Sequence, residues 1–182
     1  LLHSAMKYAI GPRRQLGIRT IFNVLGPLTN PAFAPCQVLG IYSPRLTEPL
    51  ANVLKNLGTK AAFVVHGLDS TDEVSITSET QVSELKDGTV KTYNVKPEDF
   101  GMNRAKVEDI AGGDVKENAK IIFEVLGGKK NARRDVVVLN AAFGLRAAGK
   151  AVDISEGIKI AENAIDSGAA LRKLEELKRR CR

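Results

Sequence analysis

The pattern that most limits the fold is a strand, a helix and a second strand in close succession. Residues 37–42 (QVLGIY) form a short apolar run bounded by turn residues, which reads as a buried strand. Leu46, Leu50, Val53, Leu54 and Leu57 then recur at helical spacing, and Gly58 stands where a helix would end. Residues 61–65 (AAFVV) are a second continuous apolar strand. A strand, helix and strand at this spacing make a βαβ unit, which implies parallel strands and a right-handed crossover.

A polar loop, His66-Gly67-Leu68-Asp69-Ser70-Thr71-Asp72-Glu73, follows the second strand directly. Residues 82–85 and 89–95 flank Lys86-Asp87-Gly88, and Asp-Gly between two such runs predicts an antiparallel hairpin at a sheet edge. After Pro97 the pattern turns helical. Val115, Ala119, Ile122 and Leu126 share a face, closed by Gly127-Gly128. Residues 136–148 (VVVLNAAFGLRAA) read as a buried helix, although Val136 to Leu139 alone also fit a strand. Ile154, Ile158, Ala161 and Ile165 mark a further helix ending at Ser167-Gly168. Residues 169–180 are a last amphipathic one, with Lys178, Arg179 and Arg180 suited to the negative end of its dipole. Ahead of all this, residues 3–10 predict a short helix ending at Gly11-Pro12 and residues 13–25 one or two more. Gly26-Pro27-Leu28-Thr29-Asn30-Pro31 predicts a loop. The fold class is α/β, a sheet with flanking helices, and the front end is too short and too basic to form a core alone.

Composition narrows the function. With 182 residues, 43% hydrophobic and 26% charged, the chain is an ordinary folding sequence rather than a disordered one. No apolar run approaches the ~20 residues that cross a bilayer, and the first residues do not read as a secretory signal. Cys36 and Cys181 stand far apart without a partner motif, which points to a reducing cytosol. The chain begins at Leu1 and not at methionine, so the expectation is a product processed or cut from something longer. The formal net charge of +6 lies wholly in residues 1–60. Such a patch suits an anionic partner, either nucleic acid or a small phosphorylated or carboxylated substrate.

Few side chains invite chemistry. Asp72-Glu73 are adjacent carboxylates in a loop just past a buried strand, where α/β proteins bind ligands. Hard oxygen donors of this kind suit Mg²⁺, though a solvated acidic loop has the same residues. Arg13-Arg14 and Arg19 could pair with carboxylate or phosphate, or simply lie solvated on a helix face. His3 is a lone histidine, and His66 could orient the acidic loop or merely fill a strand end. Gly26-Pro27 could wall a ligand or make a tight loop. Asn140, inside an apolar helix, needs a hydrogen-bond partner if buried. No serine, cysteine or histidine sits in a nucleophile motif, no Cys/His cluster suggests zinc, and neither glycine pair has phosphate-loop spacing.

Taken together, His3-Ser4-Ala5-Met6-Lys7 and residues 13–31 (RRQLGIRTIFNVLGPLTNP) resemble the anthranilate phosphoribosyltransferases of tryptophan biosynthesis. Val65-His66-Gly67 with Asp72-Glu73, Pro97-Glu98-Asp99-Phe100-Gly101 and Leu139-Asn140-Ala141-Ala142 support the resemblance along essentially the whole chain. Ser4 and Ser70 depart from it, standing where proline and glycine are common. The resemblance implies a nucleoside-phosphorylase-like fold, with a small helical domain beside a larger α/β domain and the active site between. On that basis residues 1–25 are a helical segment of the small domain, which is mostly missing, and residues 26–182 the C-terminal α/β domain.

The resemblance also implies an activity: transfer of a phosphoribosyl group from phosphoribosyl pyrophosphate to anthranilate, releasing pyrophosphate. Asp72 and Glu73 match Mg²⁺ ligands. Arg13 matches the arginine that meets the anthranilate carboxylate, His3 a histidine of the anthranilate channel, and Gly26 and Pro27 its wall. No catalytic base is assigned. The expected partners are these two substrates and, in the full-length protein, a second copy, with no nucleic acid or membrane and a cytoplasmic location. Members of the family carry phosphoribosyl-pyrophosphate-binding loops upstream of the point matching His3. The chain is therefore expected to be the C-terminal portion of such an enzyme, inactive alone. Two alternatives remain: a related phosphoribosyltransferase or nucleoside phosphorylase acting on another aromatic amine or base, and a nucleic-acid-binding module using the basic front.

Overall fold

Residues 6–18 and 20–181 are described by a computed structural model. The chain divides into two compact units, Leu1–Pro35 and Cys36–Arg182.

The first unit holds α1 (Met6–Leu16) and α2 (Phe22–Leu28). Both correct the expected boundaries. The helix predicted to stop at Gly11-Pro12 runs on through both residues to Leu16. Proline has a helical φ, and the carbonyl it leaves without a donor belongs to Tyr8, an exposed residue that water can serve. Gly26 and Pro27, expected in a loop, are likewise helical within α2. The loop begins only at Thr29, whose N–H donates to Leu25 O at 3.0 Å. Asn30 Oδ1 then accepts from Ala32 N–H at 3.0 Å and turns the chain.

The second unit opens with the expected strand–helix–strand. β1 (Cys36–Gly40) leads through a short 3₁₀ turn, Pro44–Leu46, into α3 (Thr47–Asn56), and then β2 (Ala61–Gly67). α3 ends as its glycine predicts: Gly58 has φ +84° and Thr59 N–H reaches back to Leu54 O at 3.0 Å. β1 and β2 are parallel, Cys36 opposite Ala61 and Gly40 opposite Val65. β3 (Thr80–Lys86) and β4 (Thr89–Val95) add antiparallel strands, so the four-stranded mixed sheet has the order β1-β2-β3-β4. Asp87 (φ +50°) and Gly88 (φ +72°) make the two-residue turn, the left-handed pair that matches strand twist in a hairpin.

Five helices follow: α4 (Val107–Ile110), α5 (Val115–Leu126), α6 (Ala132–Ala147), α7 (Ile154–Asp166) and α8 (Ala169–Arg180). Residues 136–139 are helical, not extended. Three of the longer helices start on side-chain caps. Asp114, Asn131 and Asp153 accept from the backbone N–H of Glu117, Arg134 and Glu156 at 2.8, 3.0 and 2.8 Å. β2 is buried along both faces. Phe63 and Val65 join Val82, Leu139 and Phe143 of α6 in one core cluster. On the opposite face, Ser83 Oγ donates to Thr47 Oγ1 of α3 at 2.9 Å. α6 and α3 therefore sandwich the sheet. Phe143 takes edge contacts from Phe63 and Phe100, with ring centroids 5.1 and 5.9 Å away. Each such pair contributes about 0.5–1.5 kcal/mol beyond burial.

Candidate functional site

Asp72 and Glu73 stand in the loop that leaves the C-terminal end of β2, and four features of the chain hold that loop. The first is Gly67, the last residue of β2. A side chain there would collide with Thr71 Oγ1 and stand 2.5 Å from Asp69 Oδ1, so the bare glycine leaves room for the Asp69–Thr71 pair. Its N–H donates to Thr71 O, and Ser70 N–H donates to Gly67 O, both at 2.9 Å.

The second is Asp69. Its carboxylate accepts from Thr71 N–H (3.2 Å), Thr71 Oγ1 (2.7 Å), Ser75 Oγ (2.6 Å) and Thr77 Oγ1. Burial alone would push its pKa upward, but these donors to the ionised form outweigh it, and the pKa is lowered. Asp69 is thus spent on the loop's own structure. The third is Gly40, at the end of β1, whose missing side chain makes room for the backbone of Asp72. The fourth is Val74, directly after Glu73, whose N–H and C=O are both bound by the side chain of Asn140 on α6.

Asp72 and Glu73 themselves are exposed, and no hydrogen bond or ion pair engages their carboxylates among the described residues. The Glu73 carboxyl is partly shielded by neighbouring protein, and the charges of Asp72 and Asp69 add to that; together they raise its pKa. Concentrated, unneutralised negative charge beside a strand end is an environment that a divalent cation relieves. Among the described residues no group of three His, Cys, Asp or Glu could hold a metal by itself. Two free carboxylates without a full protein cage fit Mg²⁺, which takes one or two carboxylates and completes its shell with water and substrate phosphates.

The other sequence candidates distribute as follows. His3 lies outside the described residues. Arg13 falls on α1, and its side chain lies outside the described residues. Gly26 and Pro27 lie on α2, in the first unit, whereas Asp72 and Glu73 belong to the second. His66 is buried, and its Nδ1 lies 2.7 Å from Ile41 O. A carbonyl only accepts, so Nδ1 carries the proton and ties the end of β2 to the residue following β1. Asp69 and Gly40 escaped the sequence reading. Asp69's signal was the run of Ser and Thr behind it, a supply of short donors. Gly40's was a glycine inside an apolar strand, a mark of close backbone approach.

A cavity of about 590 Å³ lies at the other end of β2, lined by Phe63, Glu84, Lys86, Lys91, Tyr93 and Arg146 among others. Its charges are mixed, and Tyr93 Oη donates to Glu84 at 3.0 Å. Burial and that carboxylate hold the phenol well above its usual range. A site with compensated charge does not favour a phosphorylated ligand.

The profile of the glycosyl transferase family, a/b domain, matches residues 1–171. The chain belongs to that family. An anthranilate phosphoribosyltransferase from Geotalea daltonii is 57% identical over 97% of this chain and 51% of its own length. The crystal structure of the anthranilate phosphoribosyltransferase of Thermus thermophilus superposes with a TM-score of 0.87 at 40% identity, covering 96% of this chain and 51% of that one. The Saccharomyces cerevisiae enzyme in complex with PRPP and Mg gives 0.85 at 35% identity over 95% of this chain and 50% of that one. The chain spans about half the length of the curated relatives it matches. No helix among the described residues is long and apolar enough to cross a membrane.

Proposed function

We propose that this protein is an anthranilate phosphoribosyltransferase. The anthranilate amine forms a bond to the anomeric carbon of phosphoribosyl pyrophosphate, the bond from that carbon to pyrophosphate oxygen breaks with its electron pair leaving on pyrophosphate, and the amine proton goes to solvent. The observation that carries this reading is 57% identity along nearly the whole chain to a protein of that name. The acidic loop supports it chemically. Asp72 and Glu73 would hold Mg²⁺, which when bound offsets the charge on the departing pyrophosphate. The chain's own task is positioning: the loop keeps two acceptors free while Asp69 absorbs the neighbouring hydroxyl donors. A reaction of this kind needs orientation and electrostatics more than a strong base.

For the aromatic substrate we assign Arg13 to the carboxylate, where a guanidinium fork makes a bidentate pair, with His3, Gly26 and Pro27 lining the channel. Residues 1–25 would belong to the helical domain and residues 26–182 to the α/β domain. A homodimer in a reducing cytosol is the proposed setting.

The test uses the full-length protein, following loss of anthranilate fluorescence with phosphoribosyl pyrophosphate and Mg²⁺. Consumption that requires both is expected, and no consumption overturns the reading. Arg13→Ala should raise the KM for anthranilate at least about tenfold, the equivalent of about 1.4 kcal/mol. An unchanged KM would favour a relative acting on another aromatic amine or base.

A further inference from the structure

Asn140 is a half-buried amide on α6, beside Val138, Leu139, Ala142 and Phe143, which are buried. Both ends of its amide are engaged. Oδ1 accepts from Val74 N–H at 2.9 Å, and Nδ2 donates to Val74 O at 2.9 Å and to Val136 O, one turn earlier on α6, at 2.9 Å. The bond to Val136 pins the side chain against its own helix, and the other two grip both polar groups of a single distant residue, 66 positions away.

That residue is the one following Glu73. Val74 is itself 1% exposed and packed in the cluster that contains Phe63 and Leu139. Its backbone lies in no strand, so the amide supplies the pairing that a neighbouring strand would otherwise give. Only Asn has the reach and the donor–acceptor pair for this geometry. Asp lacks the donor, Ala and Leu lack both, and Gln adds a methylene to a side chain already pinned at Val136. The clamp fixes where the chain goes as it leaves the carboxylate pair. Asp69 gathers Thr71 ahead of the pair and Ser75 and Thr77 beyond it. Asp72 and Glu73 are therefore held in a loop closed by a carboxylate hub and tied by an amide clamp, and of the two only the clamp reaches outside the loop to the helical layer.

We propose that Asn140 is a positioning residue for the Asp72–Glu73 pair, acting through the backbone of Val74 so that both carboxylates meet the same divalent cation. The inference rests on the metal role assigned to that pair. It makes a polar residue on a helix packed against the sheet part of the reaction's machinery without contact to substrate. Partners that orient metal ligands from behind typically change metal affinity about 10- to 100-fold when lost.

The test uses full-length protein carrying Asn140→Asp, which keeps the shape and the acceptor but loses the donor, and Asn140→Ala, which loses both. Mn²⁺ binding is measured by electron paramagnetic resonance with phosphoribosyl pyrophosphate present, and anthranilate binding by fluorescence in the same samples. A fall in Mn²⁺ affinity of about 10- to 100-fold for Asn140→Ala, less for Asn140→Asp, with anthranilate affinity unchanged, is the expected result. Faster hydrogen exchange at the Val74 amide in Asn140→Ala should accompany it. Wild-type Mn²⁺ affinity in both variants would overturn the proposal, as would an equal loss of anthranilate binding or a variant unfolded at the assay temperature, each of which makes Asn140 a residue of stability alone. Asp72→Asn separates the two levels. If it leaves Mn²⁺ affinity intact, the metal role itself fails; if it weakens binding while the Asn140 variants do not, only the positioning role fails.

Discussion

Replacing Gly40 with alanine tests the acidic loop from beneath. A methyl group at Gly40 would overlap the carbonyl oxygen of Asp72 and lie 2.5 Å from its carbonyl carbon and 3.3 Å from its Cα. Carbon atoms in contact prefer about 3.5–4.0 Å. The carbonyl oxygen is nearer still, so the backbone carrying Asp72 must retreat by well over about 1 Å, and neither partner is a flexible side-chain end. Overpacking of this kind costs about 1–3 kcal/mol of stability. A misplacement of about 1 Å in a catalytic arrangement costs about 100-fold in rate. The two effects separate experimentally. In the full-length protein, urea unfolding reads the first, and Mg²⁺ titration of anthranilate consumption reads the second. We expect a modestly lowered unfolding midpoint, a rate reduced far more than the stability change implies, and a higher Mg²⁺ requirement. Gly40→Ala protein with wild-type rate and Mg²⁺ dependence would refute the idea that β1 sets the height of the Asp72 backbone.

Other substitutions probe the same framework. Ser70 sits at φ +74°, a left-handed conformation that costs a residue with a Cβ about 1–2 kcal/mol. Ser70→Gly should therefore raise stability, by about 0.5–1 kcal/mol after the entropy of glycine is subtracted, seen as a higher denaturant midpoint. Asp69→Asn should destabilise by about 1–3 kcal/mol at neutral pH, since an amide cannot accept on both atoms. The lowered pKa of Asp69 means its contribution is present above the unfolded carboxylate value, about 3.9, and is lost as pH falls through the lower folded value. The gap between wild type and Asp69→Asn in chemical denaturation should accordingly shrink on acidification below about pH 3.9; a constant gap would contradict the role given to its charge. Gly157 on α7 faces Ala142 of α6, where a Cβ would stand 2.9 Å from the carbonyl oxygen and 3.0 Å from both Cα and Cβ. Gly157→Ala should lower stability by about 1 kcal/mol despite its better helix propensity, because the clash is with backbone.

The order of helices and strands was legible because its causes are local. Alternation and helical repeats depend on residues a few positions apart, and Asp87-Gly88 dictates its own turn through two left-handed φ values. The carboxylate pair was legible for the same reason, as neighbours after an apolar strand. Gly11-Pro12 and Gly26-Pro27 misled because glycine and proline disfavour helix interiors without forbidding them; both pairs are helical here.

What remained hidden is what joins distant parts of the chain. Sequence alone established an α/β unit built on parallel strands, a hairpin at its edge and an acidic loop at a strand end. Packing decided which of three nearby acids is used up and which two stay free. Asp69 is surrounded by hydroxyls that only the folded loop brings to it, whereas Asp72 and Glu73 take no bond from those donors. Packing also decided that Gly40 lies under Asp72 and that Asn140 holds Val74. A periodic pattern specifies which face of an element is buried, but a hydrogen bond or a close backbone approach depends on how faces from separate elements meet. That meeting is fixed by the sheet register and by the seat of α6 upon it.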